Sequence, residues 1–447
     1  MKFSHERLAQ LLEGELGAEV VTSEPALLAA HSVDGKEPAV LCFPTSPEQV
    51  AAALRLCSEA NATVIPWGGG TAMTIGNQPK RVDVVIGLER LDQLVEHDQA
   101  NLTATVQCGR TVAALQEVLA QDNQFLPLDP PKATRATVGG IVATNLNGPR
   151  RSHYGSVRDL VIGIKVVLAS GEQIKAGGKV VKNVAGYDMC KVFVGSLGTL
   201  GIITEVTLRM APIPDTAATA IGSGTLAEVQ QFIEDLARSK LLPSAVFLLN
   251  TQANKATALA QSDWHVAVWC EGFETTVSRH LHDAAEMAQK IGLASMILRE
   301  NDHRRFWDEM RDFPLKVDRL VYRVTLPRSS MTEFIQTMHT RSLAGLRPEI
   351  VSDAVMGTVW ISLVSDDLAA RSFAKLVDEA RAHGGHGMIL TAPTHLKQAI
   401  DVWGPEPPAL PLMREIKKQF DPQSLLNPGR FVAGICALPT AKGSLEK

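Results

Sequence analysis

Glycine-rich loops are the parts of this sequence whose residue types and spacing could do chemistry. Three such loops occur, at residues 66–76, 127–155 and 195–206. Consecutive glycines let a backbone come within hydrogen-bonding distance of a ligand, because no Cβ stands between the two. The successive N–H groups of such a loop suit an anionic pyrophosphate. A tight turn is the better explanation of any single loop, but three loops placed around strands indicate a large nucleotide cofactor.

The two best-known nucleotide fingerprints do not account for these loops. The first loop reads PWGGGTAMTIG and contains neither the GK[ST] of a P-loop nor the GxGxxG spacing of a Rossmann turn. The segment GSGTLA at 222–227 does match GxGxxA. However, Thr225 and Glu228 also form a capping box, which explains the segment as the start of a helix without a ligand.

Polar residues in the second loop add hydrogen-bonding groups. Gly139 and Gly140 follow Thr137, and Asn145 and Asn147 come soon after. Threonine and asparagine side chains can bond a planar heterocycle that paired glycines allow to approach. The second loop is therefore another candidate for cofactor contact.

Irregularly alternating strands and helices must position these loops. Leucine spacing predicts a helix over 4–17, and a second helix begins at Thr45 or Ser46 with Pro47 in its first turn. Thr111 is the expected cap of a third helix. Strands with little helix are expected through the second and third loops. This texture is α+β rather than regular βαβ alternation.

The second half of the chain predicts a further α+β domain. Two prolines within 211–220 interrupt the strand pattern and suggest a domain boundary. Longer helices then alternate with apolar strands up to about residue 410. The length of the chain agrees with two or three folding units.

Composition excludes several classes of function. The 447 residues are 45% hydrophobic and carry a net charge of −4, which gives no electrostatic drive toward nucleic acid or anionic lipid. No apolar run approaches the roughly 18 residues that a membrane span needs, and the N-terminus lacks the apolar core of a signal peptide. The six cysteines are scattered without a CxxC pair, which favours reduced, buried thiols. We expect a cytoplasmic protein without a nucleic-acid partner.

Three contiguous stretches carry a resemblance to a known family. They read GPRRSHYGSVRDLVIG at 148–163, GGKVVKNVAGYDMCKVFVGSLGTLGIITEVTLRMAPIP at 177–214 and FDPQSLLNPGRF at 420–431. Together with the glycine loops, they resemble the vanillyl-alcohol-oxidase-type (PCMH-type) flavoproteins. Within that superfamily they are most similar to the glycolate oxidase family, in particular to its E subunits. The likeness is strong over 38–214, weak through the middle and present again at 413–431.

The resemblance implies an α+β fold that is divided into successive domains along the chain. A PCMH-type FAD-binding domain of two subdomains would be closed by an α+β cap domain. The implied parts are an N-terminal helical segment, the FAD-binding domain, the cap domain and a C-terminal segment that returns to the FAD domain, at 1–37, 38–214, 215–412 and 413–447.

The resemblance also implies which residues contact FAD. The first loop would lie at the pyrophosphate, the second along the ribityl chain and diphosphate, and the third at the adenine or flavin side. In chain order the implied contacts are Trp67, Gly68, Gly69, Gly70, Thr71, Asp129, Thr137, Gly139, Gly140, Asn145, Gly148, Ile202, Ile203 and Asn427. Some relatives attach FAD covalently through a histidine of the first loop. The first loop here has no histidine, so a non-covalent FAD is expected.

The cap domain departs from the pattern of catalytic relatives. Those relatives carry a segment like His-x-Gly-Asp-Gly-Asn-x-His, where this chain reads DAVMGTVWISL at 353–363. Asp353, Met356 and Trp360 stand where His, Asp and His would be expected. Methionine and tryptophan serve neither as hard-metal ligands nor as general bases. We therefore expect no metal site.

Arg311 in FWDEMRDF resembles the arginine that holds the substrate carboxylate in relatives. A guanidinium can pair bidentately with a carboxylate, but a salt bridge to Asp308 or Asp312 explains the residue equally well. His383 and His386 form a His-x-x-His pair. A glycine-capped helix end explains this pair more simply than a metal site does. Second-rank candidates near the flavin ring are His153, Tyr154, Asn183 and Tyr187.

Three functions are consistent with the sequence. The favoured one is the FAD-binding subunit of a complex that oxidises glycolate to glyoxylate, with a D-type flavoprotein subunit and an iron–sulfur F-type subunit that passes electrons to quinone. Through such partners the chain would lie peripherally on the inner membrane. The second is a self-sufficient FAD-dependent 2-hydroxy-acid dehydrogenase, D-lactate-like, that uses Arg311 and an unrecognised base. The third is a non-catalytic assembly subunit that FAD stabilises through its binding free energy.

Overall fold

The computed structural model describes residues 4–178, 187–253 and 262–435. Helices and β-sheets occur throughout these ranges, which confirms the α+β class predicted from the sequence. The predicted domain limits at 214 and 412 stay predictions, and the four sheets of the described residues fall on either side of residue 214 without crossing it.

The first subdomain is built on a four-stranded sheet. Its elements are α1 (His5–Leu16), β1 (Val21–Thr22), α2 (Pro25–Ala30), β2 (Val40–Cys42), α3 (Pro47–Glu59), β3 (Val64–Trp67) and β4 (Val84–Gly87). The strand order is β1-β2-β4-β3, in which β2, β4 and β3 run parallel and β1 is antiparallel to β2. Helix α3 begins at Ser46, whose hydroxyl accepts a hydrogen bond from Gln49 N, with Pro47 in the first turn. Of the two caps considered, the structure selects Ser46.

The second subdomain contains an antiparallel five-stranded sheet. Its elements are β5 (Leu94–Asp98), β6 (Thr103–Gln107), α4 (Val112–Ala120), β7 (Gln124–Phe125), α5 (Val138–Thr144), α6 (Arg151–Tyr154), α7 (Val157–Leu160), β8 (Val161–Val167), β9 (Gln173–Gly177), α8 (Cys190–Phe193), β10 (Ile202–Arg209) and β11 (Ala211–Pro212). The order is β5-β6-β10-β8-β9, and β7 pairs with β11. Thr111 caps α4 as predicted, because its hydroxyl accepts a hydrogen bond from Ala114 N.

Helix α5 was not expected from the sequence. The segment contains Gly139 and Gly140, which have low helix propensity. Thr137 caps the helix, and Gly139 packs so closely on Cys108 that an added Cβ would lie 2.6 Å from that residue's Cβ. Tertiary packing therefore overrides the local preference of these two glycines.

The segment predicted as the cap domain is built on an antiparallel eight-stranded sheet. Its elements are β12 (Thr216–Gly224), α9 (Leu226–Arg238), β13 (Ala245–Asn250), β14 (Trp264–Gly272), α10 (Glu274–Ile291), β15 (Ala294–Arg299), α11 (Glu300–Asp312), β16 (Arg319–Thr325), α12 (Arg328–Thr337), β17 (Glu349–Asp353), β18 (Thr358–Val364), α13 (Asp367–Ala382), β19 (His386–Thr391) and α14 (Thr394–Lys397). The order is β15-β12-β14-β13-β17-β18-β16-β19. Shorter helical turns lie at Phe313–Leu315, Met338–Ser342 and Ala344–Leu346.

The two faces of the cap sheet have different neighbours. Helices α9, α10, α12 and α13 cover one face, where Phe232, Leu281, Phe334 and Leu376 join the largest apolar cluster. Helix α11 covers part of the other face through Phe306 and Trp307. The Thr225–Glu228 capping box starts α9, which confirms that GSGTLA is a helix start.

After the cap, the chain returns to the first subdomain. Helix α15 (Leu410–Phe420) leads to a segment that runs beside β3, where Val64 N donates to Leu425 O at 2.9 Å. Asn427 N donates to Val64 O, also at 2.9 Å. The return places residues 427–430 next to the first glycine loop. No helix in the described ranges is both long and apolar enough to cross a membrane.

Candidate functional site

A cleft between the two subdomains brings most of the predicted cofactor residues together. Its walls are the first glycine loop, the start of α5, the segment that leads into β10 and the C-terminal segment. The predicted residues that line it are Trp67, Gly68, Gly69, Gly70, Thr71, Thr137, Gly139, Gly140, Ile202, Ile203 and Asn427. The remaining predicted contacts, Asp129, Asn145 and Gly148, lie outside this lining.

Three positions of the first glycine loop, Gly68, Gly69 and Gly70, have no room or no suitable backbone conformation for another residue. A Cβ on Gly68 would lie 2.3 Å from Thr137 Oγ1, and one on Gly69 would lie 1.7 Å from the carbonyl oxygen of Arg135. Gly70 has a φ of 68°, a left-handed conformation that side chains rarely adopt. The loop therefore passes as bare backbone between β3 and the second subdomain.

The C-terminal segment fixes the far side of this loop. Arg430 donates hydrogen bonds to Met73 O at 2.6 Å and to Ile75 O at 2.5 Å. Burial lowers the pKa of Arg430 to about 10. Asn427 donates from Nδ2 to Leu197 O at 2.5 Å, whereas its Oδ1 is buried without a hydrogen-bond partner among the described residues.

These features fit the dinucleotide that the sequence predicts. A buried amide oxygen without a partner is costly, and Asn427 presents one at the edge of the cleft, where a hydroxyl or ring N–H of a ligand could donate to it. The N–H groups of the loop can donate hydrogen bonds to a pyrophosphate, and the small residues around them leave room for it. The cleft is thus suited to a phosphate-bearing cofactor.

Asp129 forms an ion pair with Arg150, and its contact with FAD stays a prediction. Its carboxylate lies 3.4 Å from Arg150 Nε, and Arg150 also approaches Glu271 at 3.6 Å. Burial raises the pKa of Asp129, an effect that the positive charge of Arg150 opposes. A Cβ on Gly148 would lie 1.9 Å from Asp129 O, so this glycine allows close packing on that residue.

A second cavity, of about 250 Å³, lies between the second subdomain and the cap sheet. Helix α5 links it to the cleft, because Thr144 lines the cleft and Asn145 lines the cavity. The predicted residue Gly148 lines the cavity as well. Its charged lining residues are Arg151, Arg323 and Asp353.

Asp353 stands at the end of β17, facing this cavity. Its Oδ1 accepts hydrogen bonds from Val355 N and Met356 N, both at 3.0 Å. Burial raises the pKa of Asp353 to about 6, against the opposing effects of these hydrogen bonds and of Arg151. Trp360 in β18 lines the same cavity. The described residues contain no group of three His, Cys, Asp or Glu side chains that could hold a metal ion.

Arg311 lies in the salt bridges that the sequence offered as the simpler explanation. Its guanidinium is 2.9 Å from Asp308 and 3.2 Å from Asp312. It lines neither the cleft nor the second cavity. Sequence reasoning missed Arg151 and Arg323, because only the packing of the cap sheet on α6 brings residues this far apart in the chain together.

The second-rank candidates are dispersed. The rings of His153 and Tyr154 pack edge to face with centroids 4.6 Å apart, and Tyr187 is exposed. Asn183 lies outside the described residues. His383 ends α13 before Gly384, as the helix-end explanation requires.

Comparisons with known proteins point to the same cofactor. A family model described as an FAD binding domain matches residues 38–177, and one described as the C-terminal domain of FAD linked oxidases matches 404–431. Among solved structures, p-cresol methylhydroxylase with substrate bound superposes with a TM-score of 0.74 at 18% identity, covering 95% of this chain and 96% of its own. An alkyldihydroxyacetonephosphate synthase gives 0.73 at 18% identity, covering 95% and 85%. The fold is therefore of the PCMH type, as predicted, and the cofactor is FAD.

Curated relatives include several oxidoreductases. Glycolate oxidase subunit GlcD of Bacillus subtilis is 27% identical and covers 89% of each chain. A D-lactate dehydrogenase of Archaeoglobus fulgidus is 28% identical over 91% of this chain and 94% of its own. Glycolate oxidase subunit GlcE of Escherichia coli is 28% identical over 76% of this chain and 85% of its own. The likeness is thus shared with D subunits and D-lactate dehydrogenases, and the more specific E-subunit assignment stays a prediction.

Proposed function

We propose that this chain, an FAD-linked oxidoreductase of the glycolate oxidase and D-lactate dehydrogenase type, is the FAD-binding subunit of a complex that oxidises a small 2-hydroxy acid. The observation that carries the proposal is the cleft of bare glycine backbone, which the C-terminal segment closes with Asn427 and Arg430. The named activities of the relatives supply the substrate class, with glycolate as the first candidate.

The chain's own residues would hold FAD and keep it in place. Residues 67–71 would offer backbone N–H groups to the pyrophosphate, and Thr137, Gly139 and Gly140 would border the same cleft. FAD, when bound, supplies a hydride acceptor for the oxidation of the alcohol carbon. Without a histidine in the first loop, the cofactor would be held non-covalently.

Partner subunits would carry the electrons onward. The five cysteines of the described ranges are all buried and free, and no cluster of possible ligands occurs there. An iron–sulfur centre needs grouped cysteine thiolates. We therefore propose that a D-type flavoprotein and an iron–sulfur F-type subunit complete the complex. We place that complex in the cytoplasm or, through its partners, peripherally on the inner membrane.

A second candidate function is a self-sufficient 2-hydroxy-acid dehydrogenase, and Asp353 favours it. A carboxyl group with a pKa near 6 that lines a small cavity suits a general base. Asp353 would take the hydroxyl proton while the C2 hydride leaves to FAD, which yields the 2-oxo acid. Arg311, held by two aspartates, is a weaker candidate for the carboxylate contact in this scheme.

A visible absorption spectrum of the desalted protein tests both functions. We expect flavin bands in the chain expressed alone, and we expect those bands to persist after anaerobic addition of glycolate or D-lactate until a D-type partner is added. Bleaching by either acid without a partner would instead establish the self-sufficient dehydrogenase. If FAD-loaded protein were reduced by no 2-hydroxy acid in either state, the proposed substrate class would be wrong.

A further inference from the structure

Two arginines line the second cavity, and the nearby carboxylates of Asp353 and Asp159 act on the charge of Arg151 without forming an ion pair with it. Neither Arg151 nor Arg323 makes a side-chain hydrogen bond or an ion pair with any residue in the described ranges, and Arg151 Nε is buried. Burial and the nearby charge of Arg151 both lower the pKa of Arg323. Two guanidinium groups that repel each other in a partly buried site are unfavourable unless an anion joins them.

The position of Arg323 is unusual for a charged residue. It lies on β16, an inner strand of the eight-stranded sheet, opposite Trp360 on one side and Met388 on the other. Its chain neighbours Tyr322 and Val324 point the other way, into the main apolar cluster. Because side chains alternate across a strand, Arg323 faces the second subdomain, where α6 contributes Arg151.

Asp353 offsets the charge of this pair only in part, because Arg151 acts on its carboxylate from a distance. It forms no ion pair with either guanidinium, and its Oδ1 is already engaged by two backbone N–H groups. The remaining walls are mainly small polar or apolar, such as Asn147, Trp360 and Leu390. A cavity of about 250 Å³ is below the usual range for drug-sized ligands, roughly 300–1,000 Å³. The site therefore fits a small anion.

We propose that Arg151 and Arg323 bind the carboxylate of the small 2-hydroxy acid, one arginine from each side of the interface between subdomain and cap. This assignment rests on the function proposed above. A planar guanidinium presents paired donors that match a carboxylate. The two arginines take the place that the sequence alone gave to Arg311.

Binding of oxalate to the FAD-loaded protein tests the assignment, because oxalate is a small carboxylate with no C–H bond to oxidise. We expect wild-type protein to bind oxalate in calorimetric titration and not to bind glycolamide, which lacks the charge. Arg323→Met and Arg151→Met should each weaken oxalate binding at least tenfold. Arg158→Met is the matched control, because it removes an exposed arginine of the neighbouring helix α7. This variant should bind oxalate as the wild type does.

Thermal unfolding separates a binding role from a structural one. Removing an unpaired buried charge should leave the melting temperature of the oxalate-free variants unchanged or higher. Oxalate should raise the melting temperature of the wild type and of Arg158→Met, but not that of the other two variants. A variant that melts much lower without oxalate would show that its arginine supports the fold, which overturns the assignment.

Three further results would overturn it as well: equal oxalate affinity in wild type and variants, no oxalate binding in the wild type, or loss of FAD from the variants. The last would assign the arginines to the cofactor. Failure of the proposed function looks different. In that case no 2-hydroxy acid would reduce the flavin with or without a partner, while oxalate binding would still depend on Arg151 and Arg323.

Discussion

At the scale of single residues, Asp353 shows how position changes the chemistry of a side chain. Burial raises its pKa to about 6, although Arg151 and Arg328 and two backbone N–H groups act in the opposite direction. Arg323 lines the same cavity. The ordinary pKa of an aspartate is about 3.9, so the folded protein holds the proton over a pH range in which the unfolded chain has released it.

This shift predicts a pH-dependent loss of stability that Asp353→Asn should remove. Because the pKa of Asp353 is higher in the folded protein, the contribution of this group to stability is greatest at low pH. That contribution falls as pH rises through about 4 to 6. Raising this pKa from about 3.9 to about 6 corresponds to about 3 kcal/mol in full, of which about 1–2 kcal/mol is lost between pH 5 and pH 8. Asparagine keeps the acceptor for Val355 N and Met356 N. In thermal unfolding, we expect the stability of Asp353→Asn relative to that of the wild type to increase from pH 5 to pH 8.

The control for this prediction is Asp92→Asn, which changes an exposed aspartate. This variant should follow the wild type at both pH values, since surface substitutions usually change stability little. A difference between wild type and Asp353→Asn that stays constant from pH 5 to pH 8 would contradict the raised pKa.

At the scale of elements, the first glycine loop shows why three small residues must follow β3. Gly69 passes over the backbone of Arg135, and Gly70 turns in a left-handed conformation against the Trp67 ring. The loop can approach the second subdomain only because neither residue carries a Cβ.

Gly69→Ala should weaken FAD binding at least tenfold. The new Cβ would lie 1.7 Å from Arg135 O, so the loop must move away from the cleft that it lines. Titration of the apoprotein with FAD, followed by flavin fluorescence, measures the change. Gly14→Ala is the control, because that glycine sits within α1 with open space around it. Equal FAD affinity in Gly69→Ala and wild type would show that the loop does not contact the cofactor.

Elements with strong local signals were predictable from the sequence. The caps Ser46, Thr111 and Thr225 begin helices where a hydroxyl residue precedes an apolar pattern. Helix α5 was missed because its glycines disfavour a helix, whereas the close approach of Gly139 to Cys108 follows from tertiary packing. Strand β12 begins within the segment interpreted as a boundary, because the prolines of 211–214 ended the pattern there.

The cofactor cleft was predictable from its glycine loops and from the family resemblance, whereas the second cavity was not. The first loop and the region after Thr137 line one cleft, as the glycine spacing indicated. The cavity of Arg151 and Arg323 depends on how the cap sheet packs on the second subdomain. No local pattern encodes that packing, so the sequence directed attention to Arg311 instead.

At the scale of the whole molecule, polar contacts join the cap to the first subdomain around the glycine loop. Lys397, at the end of α14, lies 3.0 Å from Asp34, and it also donates to Thr74 O at 2.5 Å. The side chains of Lys397 and Asp34 are 1% and 4% exposed. Trp403 Nε1 donates to Arg430 O at 2.9 Å. Through these contacts the cap supports the same loop that the C-terminal segment supports.

Lys397→Met should therefore lower both stability and FAD affinity. It leaves the buried carboxylate of Asp34 without its partner, which costs about 3–5 kcal/mol in comparable pairs. It also removes the hydrogen bond to Thr74 O that ties the cap to the first loop. Thermal unfolding measures the change in stability, and titration of the apoprotein with FAD measures the change in affinity. Lys375→Met, which changes an exposed lysine of α13, is the control and should alter neither.

The double variant Asp34→Asn with Lys397→Met separates charge from geometry. Removing both charges eliminates the unpaired carboxylate, so the double variant should regain part of the stability that Lys397→Met loses. Its FAD affinity should stay low, because the hydrogen bond to Thr74 O is still missing. Recovery of both properties would mean that only the buried charge matters. Recovery of neither would mean that the lysine supports the interface by packing rather than by its ion pair with Asp34.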